Sequence, residues 1–287
     1  MKDILTLLRP HQYIKNLFIF APAIFAFDFS ANTLEQLFYT FILFSMIASS
    51  IYVVNDLLDI EEDRQHPTKR FRPLASGTVS TTNAKLIIFS LSSFVFFISA
   101  LFNIKLFFVL VVYFILNLLY SYKLKHIAIV DIFIISTGFV LRLFAGALVV
   151  NIELSMWIII ITFLLAIFLS LAKRRDDVLL SLSGKETRKN IDGYNLEFVN
   201  SSMVLMAGVV IVSYIQYTVS PEVINRIGTS HLYLSAFFVI LGILRYMQIT
   251  FVEQKSGSPT KIVLKDKFLQ ITILLWLISF VFIVKLL

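Results

Sequence analysis

The stretch Ile47-Ala48-Ser49-Ser50-Ile51-Tyr52-Val53-Val54-Asn55-Asp56-Leu57-Leu58-Asp59-Ile60-Glu61-Glu62-Asp63 carries a mostly apolar run into a cluster of carboxylates. The run reaches back to about residue 34, and about 20 such residues are what a helix needs to cross the hydrocarbon core of a bilayer. Taken as helical, Asp56, Asp59 and Asp63 stand at i, i+3 and i+7. They fall within about 60° of one another and climb about 10 Å along the axis. Three carboxylates on one stripe repel each other unless a cation sits among them. Oxygen-only ligands at the mouth of an apolar span favour Mg2+, which keeps open positions for water and for substrate phosphate oxygens. The other reading, a solvated acidic helix end, does not account for that spacing at a membrane boundary.

Working outward, further apolar runs fall at 12–30, 34–55, 82–101, 104–122, 127–149, 153–172, 199–219, 229–250 and 267–286. Lipid offers backbone groups no partner, so such runs must be helices, and the in/out alternation of a membrane β-barrel is absent. The expectation is an all-α polytopic membrane protein with about nine transmembrane helices, forming one integral domain over 1–287. Composition agrees: 58% of the 287 residues are hydrophobic and only 15% are charged, too few to cover a water-facing surface. The first run follows a short basic start but is broken by Pro10 and Pro22 and has no convincing cleavage site, so it reads as a retained span. With no cysteine, disulfide frameworks and thiol nucleophiles are excluded.

A net charge of +7 would suggest nucleic acid in a soluble protein. Here it follows from basic loops crowded on one side: Lys2, Arg9 and Lys15, then Arg64, Lys69, Arg70, Arg72 and Lys85, then Lys123 and Lys125, then the loop from Lys173 to Lys189, then Lys255 to Lys267. The opposite side holds only Lys105, Arg226 and Lys285. This bias puts the N-terminus and the basic loops in the cytoplasm and the C-terminus outside the cell membrane. Chemistry is expected in the two long charged loops, 56–81 and 173–198.

Directly after the acidic stripe comes His66-Pro67-Thr68-Lys69-Arg70-Phe71-Arg72-Pro73. Two prolines hold the basic side chains in a constrained turn. Lys69, Arg70 and Arg72 beside a cation site suit a diphosphate, with the metal bridging its oxygens and the basic groups clamping the rest. The second loop opens with Lys173-Arg174-Arg175-Asp176-Asp177, in which Lys173 and Asp177 at i, i+4 also fit a simple salt bridge. Arg188 and Tyr194 follow in a polar stretch able to fold over a ligand. Within the fifth run Asp131 and Arg142 are ionisable groups at membrane depth, on one face but about 16 Å apart, so they line a cavity rather than pair. Tyr120 and Lys125 mark the cytoplasmic end of the fourth span, and Lys15 and Asn16 that of the first. The four histidines lack metal-ligand spacing, and no Walker or dinucleotide glycine loop is present.

These residues resemble the UbiA superfamily of intramembrane prenyltransferases over nearly the whole chain. The resemblance rests on the N-D-x-x-D-x-x-x-D motif at Asn55 to Asp63, on Arg9 to Asn16, His66 to Pro73, Tyr120-Ser121, Asp131, Gly138 to Arg142 and Lys173-Arg174. Members using a prenyl diphosphate carry a second Asp-x-x-x-Asp after the sixth span. Here Asp177 is followed four residues on by Ser181 and Asp176 by Leu180, so the loop is similar instead to the phosphoribosyl branch. That resemblance implies transfer of a 5-phosphoribosyl group from phosphoribosyl diphosphate (PRPP) to a long polyprenyl phosphate, with Mg2+ on Asp56, Asp59 and Asp63. It implies that Asn55, Lys69, Arg70, Arg72 and Lys173 meet the donor together with Arg174, and that Asp177, Arg188 and Tyr194 take its sugar-phosphate end. Lys15, Asn16, Tyr120, Lys125, Asp131 and Arg142 then line the cavity. The alternatives are a prenyl diphosphate-dependent aromatic prenyltransferase and, from another class, a transporter or flippase. The concentration of charge at one face argues against alternating access.

Overall fold

The structure, a computed structural model, describes residues 2–183 and 191–286, and every regular element among them is helical. In chain order these are α1 (Lys2–Leu8), a 3-10 helix (Pro10–Phe20), α2 (Ala21–Ala26), α3 (Ala31–Leu58), α4 (Ile60–Gln65), α5 (Thr81–Phe102), α6 (Ile104–Tyr122) and α7 (Val130–Val149). They are followed by α8 (Met156–Leu182), α9 (Leu196–Val219), α10 (Pro221–Ile227), α11 (Ala236–Phe251), α12 (Pro259–Lys265) and α13 (Lys267–Leu286), with short 3-10 turns between some of them. Among the described residues eight helices are long and apolar enough to cross a membrane: α3, α5, α6, α7, α8, α9, the run His231–Phe251 that ends in α11, and α13. Each coincides with one of the eight later apolar runs, and the chain is a multi-pass membrane protein.

The first run takes a different form. Pro10 opens a 3-10 helix that continues to Phe20, Pro22 sits in the first turn of α2, and Phe27 (φ 57°) ends it in the left-handed region. At about 2.0 Å per residue for the 3-10 part and about 1.5 Å for α2, the two rise about 30 Å together, the thickness of the hydrocarbon core. A 3-10 helix of 11 residues is unusual. Side chains tie this one down: Tyr13 Oη and Ser49 Oγ are 2.8 Å apart, and Asn16 Nδ2 donates to Ser45 Oγ at 2.9 Å.

The chain divides into two compact units. The first comprises Met1–Ile134 and Gly138–Glu153. Its centre is α3, against which α1, the 3-10 helix, α5 and α6 pack. Phe44, Ile47 and Ala48 of α3, Leu106 and Leu110 of α6 and Ala145 and Val149 of α7 form one buried cluster with Ile19. Asn103 alone joins α5 to α6, its side chain accepting from the N–H groups of Lys105 and Leu106 at 3.0 and 3.1 Å, so the two helices turn back within one residue. At Gly146 a Cβ would lie 2.0 Å from the Ile19 carbonyl oxygen, so only glycine lets α7 approach the 3-10 helix this closely.

The second unit comprises Ile135–Thr137 and Leu154–Leu287. Here α8 packs along α9, and α11 packs on α13 and α9. Phe168 and Tyr246 stack with ring centroids 5.5 Å apart, and Trp276 Nε1 donates to Tyr214 Oη at 2.8 Å. In both units many of the large apolar side chains that stay exposed, among them Phe89, Phe97, Leu101, Phe237 and Phe282, stand on spanning helices. That is the outward face expected where lipid is the solvent.

Candidate active site

The acidic stripe is helical across a joint. α3 ends at Leu58, Asp59 sits between helices (φ −97°, ψ 10°), and α4 begins at Ile60. Helical hydrogen bonds nevertheless run through, from Asp59 N–H to the Asn55 carbonyl at 3.0 Å and from Asp63 N–H to the Asp59 carbonyl at 2.8 Å. The register therefore survives, and Asp56 and Asp63, each 2% exposed, converge on one cation. Arg72 Nη1 donates to Asp56 Oδ1 at 3.1 Å and to Asp63 Oδ2 at 2.7 Å. Arg9 adds a second guanidinium on Asp56. Asp59 is turned to other partners, accepting from Lys125 Nζ and, at 3.0 Å, from Asn55 Nδ2.

Arg72 is aimed by its loop. The turn Lys69–Phe71 closes with Arg72 N–H on the Lys69 carbonyl at 2.9 Å, and the His66 ring nitrogen accepts from the N–H groups of Thr68 and Lys69. Lys69 is half-buried, whereas Arg70 is exposed and lies over the Phe71 ring at 4.9 Å. Arg72, the last basic residue of this turn, bonds both Asp56 and Asp63. Arg9 was missed as a site residue by sequence reasoning. Its backbone is left-handed (φ 53°, ψ 56°) just before Pro10, a position where the right-handed helical region is disfavoured, and this conformation delivers its side chain to Asp56.

Further along the same unit, Arg142 is 5% exposed and held without a carboxylate. Its Nε donates to Asn16 Oδ1 at 2.7 Å, its Nη1 to the Gly138 carbonyl at 2.6 Å and its Nη2 to Tyr113 Oη at 3.1 Å. The rings of Phe44, Tyr113 and Phe139 surround it at 4.9 to 5.4 Å, so cation–π attraction adds to the hydrogen bonds. Asp131 is fully buried, with Oδ1 accepting from the Ile132 N–H at 2.8 Å. Tyr120 is half-buried at the end of α6. Tyr113 was not foreseen as part of this set; nothing in its local sequence marks it.

In the second unit Arg174, 1% exposed, donates to Asp177 Oδ2 at 2.6 Å. The pair forms at i, i+3, with Arg174 on the buried side of α8, and Lys173 on the neighbouring position is half-buried. Tyr194 is buried with its ring 6.2 Å from that of Phe198. Arg175 was missed: it donates to Asn200 Oδ1 at 2.9 Å and to the Thr250 carbonyl at 2.7 Å. Arg188 lies outside the described residues.

Among the described residues no three His, Cys, Asp or Glu side chains converge on a common point for a metal ion. The donors that do converge are Asp56 and Asp63, whose oxygens approach a single positively charged nitrogen. Two carboxylates whose oxygens meet at one guanidinium nitrogen fit a Mg2+ ion that takes its remaining ligands from water and phosphate.

Fold and site together describe an all-helical, multi-pass membrane protein with buried carboxylates and guanidinium groups clustered where a span ends. Residues 16–182 match the UbiA prenyltransferase family, and the chain belongs to that family and is a transferase. It is 33% identical over 282 residues to decaprenyl-phosphate phosphoribosyltransferase of Mycolicibacterium smegmatis, covering 94% of this chain and 88% of that one. To the protein of the same name in Corynebacterium glutamicum it is 32% identical over 281 residues, covering 96% and 84%. The fold is similar to the structure of a UbiA homologue from Archaeoglobus fulgidus bound to GPP and Mg2+, with a TM-score of 0.71 and 18% identity across 99% of this chain and 100% of the other.

Proposed function

We propose that this protein transfers a 5-phosphoribosyl group from PRPP to a polyprenyl phosphate, releasing diphosphate, at the cytoplasmic face of the cell membrane. The observation that carries donor and acceptor is the likeness, over nearly the whole chain, to relatives named decaprenyl-phosphate phosphoribosyltransferase. The charge of the site supports the same chemistry. Asp56 and Asp63 would hold Mg2+, with Asp59 next on the stripe, and the ion would offset negative charge gathering on the departing diphosphate.

The chain's own groups do the rest. Arg72 and Lys69 supply positive charge to the other diphosphate oxygens, and Arg70 meets the anionic, water-soluble donor at the exposed edge. Burial of Asp56 and Asp63 strengthens every such interaction, because the surroundings screen charge poorly. As the bond to diphosphate lengthens, the ribose anomeric carbon gains oxocarbenium character, and the lipid phosphate attacks from the opposite face. That phosphate is already anionic near neutral pH, so no general base is required, and none need be sought among the histidines. The lipid enters sideways between helices.

The test is a pair of assays on the purified full chain. One contains labelled PRPP and polyprenyl phosphate, the other a labelled prenyl diphosphate and 4-hydroxybenzoate, both with Mg2+. Labelled lipid in the first alone is the expected result. Prenylated aromatic product in the second alone would overturn the reading in favour of aromatic prenylation.

A further inference from the structure

Lys15 lies on the 3-10 helix six residues inward of Arg9, about 12 Å along its axis. It is half-buried, and among the described residues its ammonium group has neither a hydrogen bond nor a carboxylate partner. Arg142, bonded to the adjacent Asn16, and Arg9 both repel it. Arg9 is spoken for by Asp56, a carboxylate it shares with Arg72. Arg142 is satisfied only by neutral acceptors and ring faces. Three positive charges thus gather in the first unit, and among the described residues Lys15 and Arg142 have no carboxylate partner. Like charges gathered in a poorly screening interior are unfavourable until an anion joins them.

We propose that Lys15, in the field of Arg9 and Arg142, receives a phosphate monoester, and that this phosphate is the head of the lipid acceptor. Two phosphate monoesters belong to the reaction proposed above, on which this assignment rests: the acceptor's and the 5-phosphate of PRPP. The surroundings favour the lipid. Phe44, Tyr113 and Phe139 wall Arg142, and Phe18 packs edge-on against Phe139 at 5.1 Å, so a ligand here trades water for apolar contact. An alkenyl chain gains from that exchange and a ribose does not. Arg142 acts as a fixed charge, held in place by Asn16, Tyr113 and Gly138, and the Lys15 ammonium makes the contact.

The experiment measures binding to the purified full chain of farnesyl phosphate, farnesol and PRPP separately, for wild type, Lys15→Gln and Lys15→Arg. Loss of a charge-assisted hydrogen bond predicts about 10- to 100-fold weaker farnesyl phosphate binding in Lys15→Gln. Most of the affinity should return in Lys15→Arg, with farnesol and PRPP unchanged. That pattern supports the proposal even if no phosphoribosyl lipid is ever formed, in which case the donor assignment falls and the phosphate site stands. Equal farnesyl phosphate affinity in Lys15→Gln overturns it, as does a loss confined to PRPP.

Discussion

Arg142 Nε donates to the Asn16 amide oxygen at 2.7 Å, joining α7 to the 3-10 helix across 126 residues of sequence. Both groups are buried, and Asn16 uses its other end to donate to Ser45 on α3, so one amide side chain links three segments. Asn16→Ala leaves a buried guanidinium N–H without an acceptor. The expected cost is about 1.5–3 kcal/mol, the range for a hydrogen bond to a charged group, read as a lowered unfolding temperature in detergent. Asn16→Asp should be milder, because it restores an acceptor and supplies a counter-charge.

Arg72 bridges two carboxylates with one guanidinium nitrogen, and this makes it a competitor of any metal ion for them. In Arg72→Ala, Asp56 and Asp63 face each other with Arg9 alone on Asp56. Arg72 is partly exposed, so the loss falls below that of a fully buried pair, at about 1–3 kcal/mol. Added Mn2+ should raise the unfolding temperature of this variant more than that of wild type, since the carboxylates no longer have to exchange a guanidinium for the ion. Equal metal-induced shifts in the two proteins would refute the competition.

These two clusters show where sequence reasoning carries and where it stops. The eight later spans were legible because about 20 apolar residues have one use, and the Asp56–Asp63 register was legible because a helical period is local. The first apolar run was legible as a segment but not in form, since Pro10 and Pro22 leave the choice of helix to tertiary ties such as Tyr13 to Ser49. Arg9 on Asp56, Lys125 on Asp59 and Arg142 on Asn16 lie 47, 66 and 126 residues apart, and no periodicity reaches that far. At Asp177 the spacing pointed to Lys173, and the bond from Arg174 was not read, because the burial of that guanidinium is a property of the packed helix rather than of the five residues.

Gly146 makes a steric prediction. A methyl group there would sit 2.0 Å from the Ile19 carbonyl oxygen, which is main chain and cannot rotate away. Gly146→Ala must separate α7 from the 3-10 helix, a change costing about 3 kcal/mol or more, with poor yield of folded protein as the readout. At Gly242 the nearest atom would be the Thr272 methyl at 3.7 Å, an ordinary contact. Gly242→Ala should therefore express and unfold like wild type.

Asp266 opens α13 and carries a pH dependence. Arg245 donates to it from Nη2 at 2.6 Å and from Nε at 3.3 Å, and the Leu269 N–H adds a bond at 2.8 Å. These bonds, the Arg245 ones foremost, hold its carboxyl below the ordinary value of 3.8. A depressed folded value means the stabilisation is full above that ordinary value and fades as pH falls through the folded one. Wild type should lose unfolding temperature below about pH 4 more steeply than Asp266→Asn, whose side chain does not titrate there. Parallel acid profiles would show that the pair contributes nothing measurable.

Asp56 stands at the centre of the proposed chemistry, buried and bonded by both Arg9 and Arg72. Asp56→Asn keeps the shape but removes the charge that a metal–diphosphate complex requires. Product formation from labelled PRPP should fall by at least about 100-fold, the scale on which a single electrostatic contributor to a transition state is felt. Farnesyl phosphate binding should persist, since Lys15 lies inward of this carboxylate and does not contact it. A variant that retains turnover would remove the metal role from Asp56, whereas one that loses turnover and lipid binding together would show that the substitution had disturbed the whole unit rather than its charge.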